Sequence, residues 1–315
     1  MIGLPFASTE GDPGYSQPDD EAALLARYLV ARYGAHQVVW FLGGDGDYRG
    51  EKAEKWHRIG AAVFAGDNHD RLVTMHPQGQ QWVEDEFRDQ PWFDFVSYQS
   101  GHGTGVKALR FFTEGPLQAE WRTEPPRPIV DLEPCYEAHG SYEDRQPITP
   151  AQVRRAMNWG LLMAPTAGVT YGHHGTWPWM TERGIPYAHP RTGEAPPWYE
   201  AVEAEGAAQV AHLRIFFEAV GWPHLLPAPE LILDQPGTFD PEAYLACARR
   251  DDGTAVVAYL PVGGQFRLQA DALGDRWIAR WFDPRTGEWM DADATTAPIF
   301  ESPGDGDRLL WVFTI

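Results

Sequence analysis

Two acidic residues, Asp45 and Glu133, stand near the ends of short apolar runs in this 315-residue sequence. The runs are QVVWFLGGD and RPIVDLEP. A pair of carboxyl groups can divide one reaction, since one donates a proton to a leaving oxygen while the other attacks carbon or activates water. Hydrolysis of a glycosidic bond requires this chemistry, so we predict Asp45 and Glu133 as a catalytic pair. Asp131 and Glu137 flank Glu133 and are reserve candidates for the nucleophile.

Each carboxylate also has a simpler interpretation. Asp45 follows two glycines and could cap the helix that comes after it. Glu133 could form an ion pair with a nearby arginine.

Three further apolar runs end in polar side chains. They are RLVTMHP, FDFVSYQSGH and GVTYGHHGTW, which begin at residues 71, 93 and 168. Polar groups are costly to bury without partners, so five such endings in succession indicate one shared pocket. We expect it to bind sugar hydroxyls and to offer aromatic surface through His76, Gln99, His102, Asp131, Tyr171, His174, Trp177 and Trp179.

The elements that must position these side chains alternate between strand and helix. Five apolar runs separated by helical patterns predict βα units and a parallel sheet. In a barrel of such units, functional groups lie at the carboxyl ends of the strands. We predict helices from Asp19 or Asp20 to Gly34, from a capping box at Thr149, and over residues 199–219. The first helix should bury Leu25, Tyr28 and Leu29.

After Pro223 the sequence changes to short β-rich runs, with a turn at residues 283–287. We therefore predict two domains. Residues 1–225 form an α/β domain of the TIM-barrel type, and residues 228–315 form a small antiparallel β-sandwich.

Composition narrows the range of partners. The chain has 45 acidic and 25 basic residues and a net charge of −20, which disfavours nucleic acid and anionic membranes. Fourteen tryptophans suit a carbohydrate substrate as well as a large core. Cys135 and Cys247 form no metal-ligand pattern, and no cofactor is indicated. We find neither a membrane span nor a signal peptide, and the compartment stays undetermined.

The sequence resembles one known family over nearly its whole length. Six segments follow, in order, the pattern of the apiosidase-like glycoside hydrolases: YLVARYGAHQVVWFLGGDGD, HPQG, YQSGHG, PIVDLEPCYE, TYGHHGTW and WFDPRTGEW. The resemblance implies a (β/α)₈ barrel followed by a β-domain labelled collagen-binding. It also implies that Asp45 is the acid/base and Glu133 the nucleophile of a retaining enzyme.

The same resemblance assigns the five runs to barrel strands four to eight. Ile2 to Phe6 then matches the end of strand three. We therefore expect a barrel that lacks its first strands, and a chain that is a fragment with little activity alone.

Two other functions are compatible with the sequence. His76 and His102 end consecutive strands, with His173 and His174 further on, as in metal-dependent barrel hydrolases. The chain could also be a carbohydrate-binding relative without catalysis.

Overall fold

In the computed structural model, internal contacts divide the chain into two compact units. The first consists of Met1–Gly101 with Arg122–Leu132, and the second of His102–Trp121 with Glu133–Ile315. The structure describes residues 2–4, 12–64, 70–187, 189–273, 276–293 and 298–315.

Helices and strands alternate through the first two thirds of the chain. In order, they are β1 (Ile2–Leu4), α1 (Pro13–Ser16), α2 (Asp19–Tyr33), β2 (Trp40–Gly46), α3 (Glu51–Phe64), β3 (Val73–Pro77), α4 (Glu84–Phe87), β4 (Val96–Tyr98), α5 (Val106–Glu114), α6 (Leu117–Glu120), β5 (Ile129–Asp131), α7 (Pro150–Leu162), β6 (Gly168–Val169), α8 (Trp198–Ala201) and α9 (Glu205–Val220).

Parallel pairing in the first unit confirms the predicted α/β architecture. Strands β1, β2 and β3 pair in parallel, as do β4 and β5. The Thr74 hydroxyl on β3 donates to the Phe95 carbonyl just before β4, at 2.7 Å. Trp40, Leu42 and Tyr98 are fully buried, as expected for parallel strands. Each of the five predicted runs contains a strand. Of the segment Ile2 to Phe6, residues 5 and 6 lie outside the described residues. Closure into a barrel stays a prediction.

Helix α2 begins at Asp19 and is followed by Gly34, as predicted, but it buries a different face. The buried side chains are Ala22, Ala23, Ala26 and Val30. Leu25 and Leu29 are only partly buried and Tyr28 is 57% exposed, so the predicted inward face was wrong. The buried face of α2 consists mainly of small alanine side chains. The larger residues therefore lie at the edge of this face or on the solvent side of the helix.

The capping box predicted for α7 is confirmed. The Thr149 hydroxyl accepts the backbone N–H of Gln152 at 3.3 Å, and the Gln152 side-chain oxygen accepts the backbone N–H of Thr149 at 2.9 Å. Pro150 occupies the first turn, where a missing N–H costs nothing.

The single helix predicted over residues 199–219 is wrong, because the chain forms α8 and α9 with a break between them. Ala204 is extended (φ −62°, ψ 147°). The second helix then begins at Glu205. Its second residue, Gly206, lies against the Glu137 carboxylate, and a Cβ there would come within 2.2 Å of Oε2. No helix in the described ranges has both the length and the apolarity needed to cross a bilayer.

The C-terminal part is antiparallel β-structure, as predicted. Its strands are β7 (Leu225–Pro227), β8 (Ala246–Arg250), β9 (Ala255–Leu260), β10 (Gln265–Arg267), β11 (Trp277–Asp283), β12 (Glu288–Asp291), β13 (Ile299–Glu301) and β14 (Arg308–Thr314). Six form one sheet in the order β12-β11-β14-β9-β8-β7, and β10 pairs with β13. The predicted turn is confirmed, with Gly287 (φ 76°) donating its N–H to the Asp283 carbonyl at 2.8 Å.

A buried ion pair joins α7 to the C-terminal sheet within the second unit. The Arg154 guanidinium donates to both carboxylate oxygens of Asp307, at 2.8 and 2.7 Å. It also donates to Gln209 on α9, and the Tyr259 hydroxyl donates to Asp307 at 3.2 Å. The two charged side chains are 5% and 2% exposed. This network supports a stabilising role for the β-domain.

We expect Asp307→Ala to lower the free energy of unfolding by about 3–5 kcal/mol, because it leaves the Arg154 guanidinium buried without its counter-charge. Urea titration followed by circular dichroism measures the change. The matched control is Glu218→Ala, which breaks the solvent-exposed Arg214–Glu218 pair and should change the free energy of unfolding far less. Equal effects of the two substitutions would contradict this assignment.

Candidate active site

A β-bulge lies at the end of β2, where Asp45 stands. Leu42 pairs with Met75, but the next paired residues are Gly46 and Pro77, so β2 contains extra residues between these positions. Asp45 has φ 50°, in the left-handed region that is uncommon for residues other than glycine. Bulges and strained residues of this kind recur at functional sites, where they redirect a side chain.

Two side chains from the following strands hold Asp45. Gln99 Nε2 donates to Asp45 Oδ1 at 3.0 Å, and the Asp45 N–H donates to His76 Nδ1 at 3.2 Å. Since a backbone N–H can only donate, neutral His76 carries its proton on Nε2. The structure thus brings three predicted site residues together. The capping interpretation of Asp45 is wrong, because α3 begins only at Glu51.

Tyr48 fills the inside of the same turn. It is fully buried, its hydroxyl accepts the Gly44 N–H at 2.7 Å, and burial raises its pKa. A Cβ on Gly43 would come within 2.2 Å of the hydroxyl, and one on Gly46 within 2.5 Å. Both positions therefore accept only glycine while Tyr48 is present. Sequence reasoning missed Tyr48, although the glycines around Asp45 were a usable signal of close packing.

Asp131, at the end of β5, is fully buried. Its Oδ1 accepts the backbone N–H of Ser100 at 3.1 Å, which ties the ends of β4 and β5 together. The predicted roles of Asp131, as a substrate contact or as a reserve nucleophile, stay predictions.

Glu133 belongs to the second unit, where its hydrogen-bond partner is His102. The His102 Nε2 and Glu133 Oε1 atoms lie 3.0 Å apart, and the two side chains are 7% and 15% exposed. The other ring nitrogen, Nδ1, accepts the backbone N–H of Tyr136 at 3.2 Å. The simpler interpretation of Glu133, an ion pair with an arginine, stays a prediction.

A row of rings extends from His102. His139 stacks on it with ring centres 3.9 Å apart, and His174 meets His139 edge-on at 4.8 Å. His174 Nδ1 accepts the indole N–H of Trp177 at 3.2 Å. The other ring nitrogen, Nε2, lies 3.1 Å from the Gly193 carbonyl oxygen. His174 is fully buried, and burial lowers its pKa. His139 is an addition to the predicted site, since no strand-end pattern marks it.

Tyr171 and Glu137 form a hydrogen-bonded hydroxyl–carboxylate pair in this unit. The Tyr171 hydroxyl donates to Glu137 Oε2 at 2.7 Å. Burial raises the pKa of both side chains, with the Tyr171 hydrogen bond acting in the opposite direction on Glu137. Tyr171, predicted as a sugar contact, therefore has a protein partner.

The two predicted platform tryptophans have separate partners. Trp179 stacks on Trp198, with ring centres 5.0 Å apart and planes 8° from parallel, and it is 62% exposed. Trp177 is 39% exposed and contacts His174 and His189. Trp198 was not predicted, because only the fold brings it against Trp179.

Across the described ranges, no group of three or more His, Cys, Asp or Glu side chains is placed to hold a metal ion. His76 lies in the first unit and His102 in the second.

Two family descriptions match the chain. Residues 7–224 match "Apiosidase-like, catalytic domain". The chain belongs to the apiosidase-like family. Residues 226–314 match "Putative collagen-binding domain of a collagenase". Among curated proteins, no sequence matches this apiosidase-like chain.

Solved glycoside hydrolase structures share the fold of the apiosidase-like chain. One, described as "Glycoside hydrolase", is 20% identical with a TM-score of 0.78, and the match covers 94% of this chain and 69% of that one. A glycoside hydrolase family 5 structure from Bacteroides vulgatus ATCC 8482 is also 20% identical, with a TM-score of 0.77 and coverage of 94% and 67%.

The histidine row makes the stability of this apiosidase-like protein sensitive to acid. Burial lowers the pKa of His139 to about 3, and the electrostatic interaction with the neighbouring rings of His102 and His174 acts in the same direction. The unfolded chain binds a proton at His139 below pH 6.5, roughly the unperturbed value, and the folded chain does not. This contribution to stability is therefore complete at neutral pH and decreases as pH falls from about 6.5 towards 3.

We expect His139→Phe to gain stability relative to the unmodified protein as pH falls from 7 to 4, because phenylalanine keeps a ring in the stack and binds no proton. Urea unfolding at pH 7, 5.5 and 4 measures the difference. The exposed His36 provides the control, since His36→Gln should show no such trend. A difference that stays constant with pH would contradict the prediction.

Proposed function

We propose that the protein is a retaining glycoside hydrolase of plant or bacterial glycans, in which Glu133 is the nucleophile and Asp45 the acid/base. The observation that carries the proposal is the catalytic-domain match over residues 7–224, in which both carboxylates fall. Each carboxylate is also fixed by a hydrogen bond from a neighbouring side chain, Gln99 for Asp45 and His102 for Glu133.

The proposed reaction has two steps. Glu133 attacks the anomeric carbon with an electron pair of its carboxylate while Asp45 gives its proton to the leaving oxygen. Asp45 then removes a proton from water, which attacks the same carbon and releases Glu133 with the anomeric configuration retained. The hydrogen bond from His102 favours the ionised form of Glu133 that attacks in the first step. The hydrogen bond from Gln99 favours the ionised form of Asp45 that removes the proton from water in the second step.

We propose substrate contacts for the remaining polar and aromatic groups predicted from the sequence. His76 supplies a ring and Gln99 an amide group for sugar hydroxyls, and Trp177 and Trp179 supply exposed aromatic faces. His174, which is fully buried with both ring nitrogens in hydrogen-bond contact, supports Trp177 instead. Flat aromatic rings suit the apolar faces of sugars, and the net charge of −20 does not repel a neutral glycan.

A substrate screen tests the proposal. We would incubate the protein with a panel of nitrophenyl glycosides and with pectic oligosaccharides, and record the first anomer formed by ¹H NMR. Release of the sugar with retained configuration supports the proposal. An inverted product would remove the nucleophile role from Glu133. No hydrolysis of any substrate, either by this chain or by a longer chain that carries the complete barrel, would overturn the glycosidase assignment.

A further inference from the structure

We propose that His102 is a positioning residue whose neutral Nε2–H tautomer orients the Glu133 carboxylate for attack. The inference rests on the proposed function, because it assigns a task to the nucleophile. It gives His102 a role different from the sugar contact expected from the sequence.

The tautomer follows from the hydrogen bond on the other ring nitrogen. The backbone N–H of Tyr136 points to His102 Nδ1 at 3.2 Å, and a backbone N–H can only donate. Nδ1 therefore holds a lone pair, and the proton of the neutral ring lies on Nε2. Since Nε2 is 3.0 Å from Glu133 Oε1, it donates to the carboxylate.

The same ring fixes the chain segment that carries Glu133. His102 contacts the Glu133 side chain through one nitrogen and the Tyr136 backbone through the other, so it spans the turn after β5. Pro134 within that turn restricts the backbone further. Rotation of the imidazole would break both hydrogen bonds at once.

Three aromatic neighbours prevent that rotation. His139 stacks on the His102 ring at 3.9 Å, while Tyr136 and Tyr142 meet it edge-on at 4.7 and 5.5 Å. His139 is buried, with its Nδ1 2.9 Å from the Gly140 carbonyl, and its own pKa is lowered to about 3. His139 therefore contributes an uncharged ring to the stack at neutral pH.

Three variants separate the two functions of the His102 ring. In glutamine the side-chain amide nitrogen can occupy the position of Nε2, and in asparagine the side-chain amide can occupy the position of Nδ1. Leucine has neither group. We expect His102→Leu to lower kcat about 100-fold, the scale of a misplaced reacting group. His102→Gln should recover about 10-fold of that loss through its donated hydrogen bond, and His102→Asn should resemble the leucine variant.

The loss should be the same for nitrophenyl glycosides with good and poor leaving groups, because attack by Glu133 is affected and not protonation. Three results would overturn the proposal: Asn matching or exceeding Gln, a loss confined to poor leaving groups, or a change in KM alone. His173 is the matched control. Its Nδ1 also accepts a backbone N–H, from Gly175 at 3.0 Å, and its Gln and Asn variants should not differ from each other.

A measurement that does not depend on catalysis tests the positioning role separately from the proposed function. Long-range ¹H–¹⁵N correlation of the histidine rings at pH 7, assigned by the signals lost in His102→Gln, should show His102 protonated on Nε2. The Glu133→Gln variant should shift that Nε2 resonance, and Glu137→Gln should not. Protonation on Nδ1, or no response to Glu133→Gln, would overturn the positioning role. Absence of glycosidase activity together with these shifts would overturn only the proposed function.

Discussion

Replacing Glu133 with alanine should abolish hydrolysis of every glycoside, whatever its leaving group. Without the carboxylate no glycosyl-enzyme bond forms, and removal of a nucleophile lowers kcat by about 10⁴- to 10⁶-fold. Initial rates on a dinitrophenyl and on an alkyl glycoside of the same sugar measure the effect.

The neighbouring carboxylate Glu137 supplies the control for this experiment. Glu137→Gln keeps an oxygen that can accept the Tyr171 hydroxyl, so the fold around it is retained. We expect it to keep most of the activity that Glu133→Ala loses. If Glu137→Gln were inactive and Glu133→Ala active, the nucleophile assignment would move to Glu137.

Replacing Asp45 with alanine should give losses that depend on the leaving group. A positioned acid contributes about 10²- to 10⁴-fold, and a leaving group that departs as a stable anion needs little of this assistance. We therefore expect about a 10³-fold loss of kcat/KM on an alkyl glycoside and a loss of about 10-fold on the dinitrophenyl glycoside, measured side by side.

Asp47 is the matched control for Asp45, since it lies two residues along the same segment. Its carboxylate accepts hydrogen bonds from Lys52 at 2.6 Å and from Gln81 at 2.5 Å. These contacts lower its pKa, Lys52 contributing most. Asp47→Ala should affect both substrates equally. A leaving-group dependence in Asp47→Ala and none in Asp45→Ala would show that the acid had been misassigned.

Much of the fold could be predicted, because local patterns specify it. The apolar runs contain the strands, and Thr149 with Gln152 forms the helix cap that their spacing requires. The face of α2 could not be predicted in the same way. Tyr28 looked like a core residue, yet alanines form the buried stripe, since burial depends on which neighbour the helix meets.

Part of the arrangement around Asp45 could be predicted from the sequence. The strand-end pattern identified Gln99 and His76 beside Asp45, and these three do interact. It could not identify His139, whose stacking on His102 joins residues from separate loops. Stacking has no sequence period, and only the folded backbone creates it.

The Tyr48 ring also limits which amino acids can be exchanged in the loop around Asp45. Gly46 lacks space for a methyl group only because the Tyr48 hydroxyl and ring occupy it. In a library randomised at positions 46 and 48, alanine or serine at 46 should be recovered only with a smaller residue at 48. A scan that changes one position at a time would classify positions 46 and 48 as intolerant of substitution. The two positions are therefore one steric unit, and exchange at either depends on the other.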